Sequence, residues 1–266
     1  QLTQEDVNTY KVNFEYTLNE DVLLYVQASS GYRAGGFNRP NVAAGLPATS
    51  YGTDTLWNYE LGAKTSWLDS RLIANMTIFR IDWSNIQLTK EVVGLNAPGL
   101  ITANFGGAEV DGLELEADYR IVEALTLGVN YAFIDATLTE DAPANGAVAG
   151  EQLPGSAKNT YSLYADYEHP LTSELDLAAR LTHRYIDSRI TALGAGSTVQ
   201  NTDVIPSYET TDLRISVSHS NGLEASLFVN NIFNNIGIGW IENVPTHTRQ
   251  RITQPRIIGL NVGYRF

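Results

Sequence analysis

An all-β fold, an antiparallel transmembrane β-barrel with about eleven strands present, is what this sequence predicts. Three observations predict it. Apolar and polar residues alternate with period two in block after block. Several blocks run to about ten residues or more, whereas strands of a soluble sandwich typically run to about five or six. Between the blocks, tight turns alternate with long polar stretches, as in a barrel with short periplasmic turns and long extracellular loops.

Each block follows from its pattern. Residues 8–17 alternate weakly. Val22, Leu24, Val26, Ala28 and Tyr32 then share a face, and Trp57, Tyr59, Leu61, Ala63 and Trp67 oppose Asn58, Glu60, Gly62, Lys64 and Ser66. Residues 72–88 form a block that is apolar on both faces in its first half. Leu113, Leu115, Ala117 and Tyr119 oppose Glu114, Glu116 and Asp118, and Leu125, Leu127, Val129, Tyr131 and Phe133 oppose Thr126, Gly128, Asn130 and Ala132. Leu175, Leu177, Ala179 and Leu181 oppose Asp176, Ala178, Arg180 and Thr182. Leu213, Ile215 and Val217 oppose Asp212, Arg214 and Ser216, and Leu223, Ala225, Leu227 and Val229 oppose Glu224, Ser226 and Asn230. The final block sets Ile258, Leu260, Val262, Tyr264 and Phe266 against Asn261, Gly263 and Arg265.

Residues 18–21, 68–71 and 220–222 read as tight turns, with 121–124 and 169–174 of the same kind. Residues 34–55, 89–103, 139–157, 188–206 and 232–254 are the long polar stretches, rich in Gly, Ala, Pro and Asn. Tyr16, Tyr59, Trp67, Tyr119, Tyr131 and Tyr167 suit the aromatic girdles at the two membrane interfaces. An odd strand count cannot close alone, since single-chain bacterial barrels have an even number. Eleven is about half of the roughly 22 strands of plugged outer-membrane transporters, so residues 1–266 read as the C-terminal half of such a barrel. The chain opens on Gln-Leu-Thr without a basic, apolar leader, which reads as a removed signal or a piece of something longer.

Composition narrows function. A net charge of −13 argues against nucleic acid, whose phosphates need Lys and Arg. The absence of Cys excludes a disulfide framework and thiol-ligated zinc. No apolar run approaches the ~18 to 20 residues of a membrane helix, which leaves strands as the means of crossing.

Four segments and the aromatic end resemble the TonB-dependent outer-membrane receptors. LLYVQASSGYRAGGFNRP (residues 23–40) is similar to a strand and loop of that family. YELGAKTSWLDSRLIANMTIFRIDWSNIQ (59–87) resembles a segment in which the family has LDGRL, with Ser70 here in place of its glycine. NFGGAEVDGLELEADYRIVEALTLGVNYAFIDA (104–136) and LFVNNIFNN (227–235) match two more. The resemblance implies a plug domain, absent from these residues, energised through a TonB box by TonB–ExbB–ExbD. It implies uptake of a scarce nutrient complex, most often a ferric siderophore, with haem, cobalamin, nickel chelates and glycans as other family substrates. Haem receptors carry a FRAP element where this chain reads Tyr32-Arg33-Ala34-Gly35, which weighs against haem. Outer-membrane lipid surrounds such a barrel, and a terminal aromatic strand, here Tyr264 and Phe266, resembles the signal read by the assembly machinery.

Candidate sites follow. Arg33, Phe37, Asn38 and Arg39 at one loop, and Trp240, His247, Arg249 and Arg251 at another, suit an anionic, catecholate-like ligand through stacking and charge-assisted bonds. Glu60, Lys64, Glu114, Glu116, Asp118, Arg180, Arg184, Arg214 and Arg265 are lumen-wall residues. The carboxylates read as polar wall rather than a cation site, because lumen faces are polar by necessity. The arginines read as pairing partners of those carboxylates, although their planar donors also suit an anionic chelate. His169, His183, His219 and His247 show no metal-ligand spacing, and no catalytic motif occurs, so neither cofactor, metal nor enzymatic activity is expected. A passive porin-like channel and a barrel-borne hydrolase are the competing classes.

Overall fold

The computed structural model describes residues 6–40, 45–93, 98–143, 146–193, 204–244 and 247–265. In chain order the strands are β1 (Lys11–Asn19), β2 (Val22–Arg33), β3 (Gly36–Asn38), β4 (Thr49–Tyr51), β5 (Asp54–Trp67), β6 (Leu72–Ser84), β7 (Gln87–Val93) and β8 (Pro98–Asn104). They continue as β9 (Ala108–Val122), β10 (Leu125–Leu138), β11 (Asn159–Pro170), β12 (Leu175–Ile186), β13 (Arg189–Ile190) and β14 (Val204–Ile205). The last are β15 (Tyr208–His219), β16 (Leu223–Asn230), β17 (Ile238–Val244), β18 (His247–Ile252) and β19 (Ile257–Tyr264).

Eleven of these form one antiparallel sheet in the order β1-β2-β5-β6-β9-β10-β11-β12-β15-β16-β19. Each wall strand therefore lies beside its sequence neighbour, as short turns dictate. The remaining eight make four two-stranded hairpins, β3–β4, β7–β8, β13–β14 and β17–β18. All four arise from long connections, so they stand at one end of the wall, here called the rim.

Paired residues share a face, so the register sorts every side chain. Tyr25, Gly62, Thr77, Glu114, Ala132 and Thr160 follow one another across six strands on the inner face. Leu24, Ala63, Met76, Leu115, Tyr131 and Tyr161 do so on the other. That second face exposes large apolar side chains, Leu61 at 53% and Leu260 at 71% among them. Water would be a poor solvent for such a surface, and lipid is the solvent it suits. The sheet is thus an arc of a transmembrane β-barrel. All six aromatics expected at the girdles lie on this lipid face. The rim-side girdle is also wider than the sequence suggested: Tyr10 stacks on Trp57 and Trp57 on Tyr59, while Tyr161 stacks on Tyr185.

Two local expectations need correction, the block 72–88 and the long polar stretches, whereas the first block, counted as a strand despite its weak pattern, is one. The block 72–88 is two elements, because Asn85 adopts a left-handed φ of 55° and breaks β6 from β7. Its two-faced apolarity is real: Phe79, Ile81 and Trp83 point inward, where they pack against a buried cluster at the rim. The weak first block is a full strand, paired with β2 over its length. The long polar stretches are not plain loops, since they hold most of the four hairpins and, among the described residues, part of the buried core. Ile86 and Leu138 are 1% exposed and Phe105 3%, packed with Ala142, Ala147 and Leu153 from the β10–β11 connection. A single-layer wall buries little of itself, so two-layer packing arises only where rim segments fold over one another. The large side chains among them, Ile86, Phe105, Leu138 and Leu153, each contribute about 1.5–3 kcal/mol by burial.

Above the apolar band the lipid face turns polar. Arg80 pairs there with Glu109 and lies 3.3 Å from Asp82. At the opposite end, Leu68, Asp69 and Ser70 of the β5–β6 turn all have left-handed φ, at 58°, 55° and 60°. Phe266 lies outside the described residues. Arg265 follows the last ladder pair, and its amide donates to the Gly222 carbonyl at 2.9 Å.

Candidate functional site: the rim hairpins and the lumen wall

Two sets of hairpins crown the wall. The first joins β3–β4 to β7–β8 and centres on Asp54, whose side chain is 1% exposed. Asp54 opens β5, three residues beyond Trp57, where the apolar band begins, so it sits outside the membrane-spanning part. Its carboxylate accepts the Arg33 guanidinium, the Arg33 amide at 3.1 Å and the Gln87 amide at 2.9 Å. Burial by itself would raise its pKa. The Arg33 side chain and the Gln87 amide outweigh that effect and hold it below the ordinary value of 3.8. Arg33 also lies over the Trp83 ring at 4.7 Å.

Side-chain amides then tie the hairpins together as backbone would. Asn38 donates to the Thr102 carbonyl at 2.8 Å and accepts from the Thr102 amide at 2.8 Å. Asn104 does the same with Gly52, at 3.0 and 2.8 Å. Gln87 donates to the carbonyls of Arg33, Ala34 and Gly52. Of the residues expected to meet ligand here, Arg33 and Asn38 thus work within the rim, whereas Phe37, 52% exposed, and Arg39 remain at its surface.

The second set is β13–β14 with β17–β18. Ile205 and Ile241, 0% and 8% exposed, are the buried residues of β14 and β17, and Arg189 donates to the Gly239 carbonyl at 2.8 Å. Beyond a bulge, Trp240 pairs directly with Arg251, and Glu242 with Arg249. Trp240 and Arg251 alternate with buried Ile241 and its partner Gln250, so they share the opposite face, where Trp240 is 45% exposed and Arg251 is exposed. His247 starts β18 opposite Val244.

All the lumen-wall candidates within the ladder fall on the inner face. Glu60 accepts from Asn58 at 2.5 Å, and Glu116 from Asn75 at 3.3 Å. Lys64 is exposed opposite Asn75. Tyr164 donates to Asp118 while Arg180 lies over the same ring at 4.5 Å and 3.4 Å from Asp166. Arg214 lies over Phe228 at 5.7 Å, and Arg184 pairs with Asp212 at 2.5 Å. A cavity of about 670 Å³ opens on this face, lined by Thr77, Glu114, Glu116, Asn130, Ser162 and Arg184 among others. The lumen therefore has a self-paired sector on β11, β12 and β15, and a sector of less engaged carboxylates on β5 and β9.

Sequence reasoning missed Asp54, Gln87, Asn104 and Asp212 as organisers of the rim. Asp54 and Gln87 offered one readable signal: an acid at the mouth of a strand, and an amide just past a left-handed Asn.

A wall that is apolar outside and polar inside, crowned by interlocked hairpins, defines the barrel of an outer-membrane transporter. The family model described as TonB dependent receptor-like, beta-barrel matches residues 2–232, and the chain belongs to that family. Proteins of this family are outer-membrane transport receptors, not enzymes. The chain is similar to the metal-pseudopaline receptor CntO of Pseudomonas aeruginosa, at 25% identity over 225 residues that cover 85% of this chain and 29% of that receptor. It is 30% identical over 126 residues to the pesticin receptor of Yersinia enterocolitica, covering 47% of this chain and 18% of that one. In fold it matches the ferric yersiniabactin uptake receptor FyuA from Yersinia pestis with a TM-score of 0.77 at 19% identity, over 95% of this chain and 36% of that chain. The chain thus spans less than a third of the length of the curated relatives.

Proposed function

We propose that this chain is the wall and ligand-catching rim of an outer-membrane receptor that imports a ferric siderophore. The observation that carries the reading is the open face of β17–β18, where Trp240 and Arg251 stand side by side. An indole beside a guanidinium suits an anionic chelate with planar aromatic donors: the ring stacks, and the planar fork forms charge-assisted bonds. Phe37 and Arg39 lie on a rim hairpin or its connection and extend the same chemistry, while the His247 side chain lies outside the described residues. In this reading the rim captures the chelate, and a plug domain, moved through TonB–ExbB–ExbD, opens the lumen. The wall described here supplies no energised gate.

The relative named for a metal-pseudopaline complex supports a second reading, a chelate of another metal. The rim chemistry addresses the organic anion rather than its metal, so both fit Trp240 and Arg251. Titrating the purified full-length receptor with ferric catecholate, ferric hydroxamate and zinc or nickel chelates separates them by quenching of intrinsic fluorescence. Trp240→Ala and Arg251→Ala should each weaken the chelate that binds by roughly tenfold, as expected for an interface anchor. Wild-type affinity in both variants would remove the hairpin from the binding site.

A further inference from the structure

Two carboxylates seat the rim on the wall, and they differ in accessibility. Asp54 is 1% exposed and closed over by Arg33. Asp212 is 29% exposed, and its partner Arg184, on the inner face of the wall, is 53% exposed. Asp212 divides its oxygens: Oδ2 accepts from Arg184 at 2.5 Å, and Oδ1 accepts from the Asn231 amide at 2.8 Å.

Asn231 is the next link. It is 3% exposed, holds a left-handed φ of 53°, and closes the exit from β16. Its Oδ1 accepts from the Asn235 amide at 3.0 Å, and its Nδ2 donates to the carbonyls of Asn235 at 2.8 Å and Gln254 at 3.0 Å. Residues 235 and 254 are the two stems of hairpin β17–β18. One step further, Gly237 and Thr253 exchange bonds, amide to Oγ1 at 2.9 Å and amide to carbonyl at 2.8 Å. Trp240 and Arg251 follow directly.

An unbroken polar chain therefore runs from a guanidinium at the lumen cavity, through Asp212 and Asn231, to the stems that carry the open Trp–Arg face. We infer that Asp212 is a positioning residue for that hairpin, and that Arg184 is the point at which an acidic group in the lumen acts on it. A carboxylate or phosphate entering the cavity competes with Asp212 for Arg184. Once Arg184 is drawn away, Asp212 loses the contact that aims its other oxygen at Asn231, and the hairpin stems loosen. Arg33 is itself 47% exposed, but Asp54 is sealed at 1% and is also held by the Arg33 and Gln87 amides, so the first set of hairpins should respond less. The consequence for ligand capture rests on the proposed role of β17–β18, but the seat itself does not.

Amide hydrogen exchange on the ligand-free full-length receptor tests the seat. Asp212→Ala should speed exchange at Asn231, Asn235 and Thr253 by about fivefold or more, the effect of losing one net hydrogen bond. Arg184→Gln should do so by less, and Asp212→Asn, which keeps an acceptor for Asn231 but no charge for Arg184, should match it. Exchange at Arg33 and Gln87 should not change in any of the three, whereas Asp54→Asn should speed those two amides and leave Asn231, Asn235 and Thr253 unchanged. Unchanged exchange across 231–254 in Asp212→Ala and Arg184→Gln overturns the inference, and so does an equal rise at both sets of hairpins. If Asp212→Ala does not assemble, Arg184→Gln decides, because it alters only an exposed group. Because no chelate is present, a failure here is distinct from a failure of the binding titration.

Discussion

The phenol ring of Tyr164 lies flat across Gly128, its direct partner on the next strand, and reaches over it to Asp118 on the strand beyond. Tyr25 does the same across Gly62, its hydroxyl 2.8 Å from Thr77. Phe79 covers Gly112 and Phe228 covers Gly259 in the same register. In each pair a β-carbon on the glycine would fall inside the ring, so the glycine is required by close approach and the ring in turn packs the gap it leaves. Four such pairs pin the register of four strand junctions on the lumen side.

Gly128→Ala should therefore displace Tyr164, break its bond to Asp118 and unstack Arg180, at a cost of about 1–3 kcal/mol in the assembled receptor. Gly263→Ala is the control, since a β-carbon there meets nothing within 4 Å, and it should stay within about 0.5 kcal/mol. Urea unfolding in lipid vesicles reads both. Equal midpoints for the two variants would contradict the ring-on-glycine account.

The assignment of faces predicts a sharp asymmetry between neighbours. Val129 points to lipid in mid-strand and Asn130 to the lumen. Val129→Arg should cost about 2–4 kcal/mol near the bilayer midplane, and Asn130→Arg far less. The fraction of receptor that assembles into vesicles, scored by heat-modifiable migration on gels, measures the difference.

Ser70 occupies a left-handed position with φ 60°, a conformation that glycine adopts at no steric cost. Ser70→Gly relieves that conformation without removing a packed side chain, and should stabilise the receptor by about 0.5–1 kcal/mol. An unchanged or lowered unfolding midpoint would mean that the turn is not strained.

Asp54 makes the rim acid-sensitive in a defined window. Its pKa is lower folded than unfolded, so its contribution is present above the unfolded value of 3.8 and is lost as pH falls through the lower, folded one. The fluorescence of Trp83, beneath Arg33, should stay constant from pH 7 to about pH 5 and change only below about pH 4. In Asp54→Asn that acid transition should be absent and the rim looser by about 1.5–3 kcal/mol at neutral pH.

The wall was legible because its period is two and one of its faces meets lipid: apart from the end of the block 72–88, each apolar run named along 22–264 lies on a wall strand. Legibility failed where an inward residue is apolar for a local reason. Phe79 covers a glycine and Trp83 supports Arg33, so β6 is two-faced, as it read, and its pattern ran on past the break at Asn85. The rim was least legible. Its hairpins are held by side-chain amides such as Asn38 to Thr102, 64 residues apart, and composition cannot distinguish such an amide from a solvated one. Among the expected rim residues, Arg33 and Asn38 bond within the rim, whereas Trp240 and Arg251 lie exposed at its surface.

The central claim is uptake, and accumulation of radioactive iron tests it most directly. Cells lacking the gene should fail to accumulate iron from one ferric siderophore in a defined panel. The intact gene should restore accumulation, and a protonophore should abolish it again, if the proposed transport is driven through TonB. Unchanged accumulation from every chelate, or restored uptake that is indifferent to the protonophore, would contradict the account and favour a passive channel.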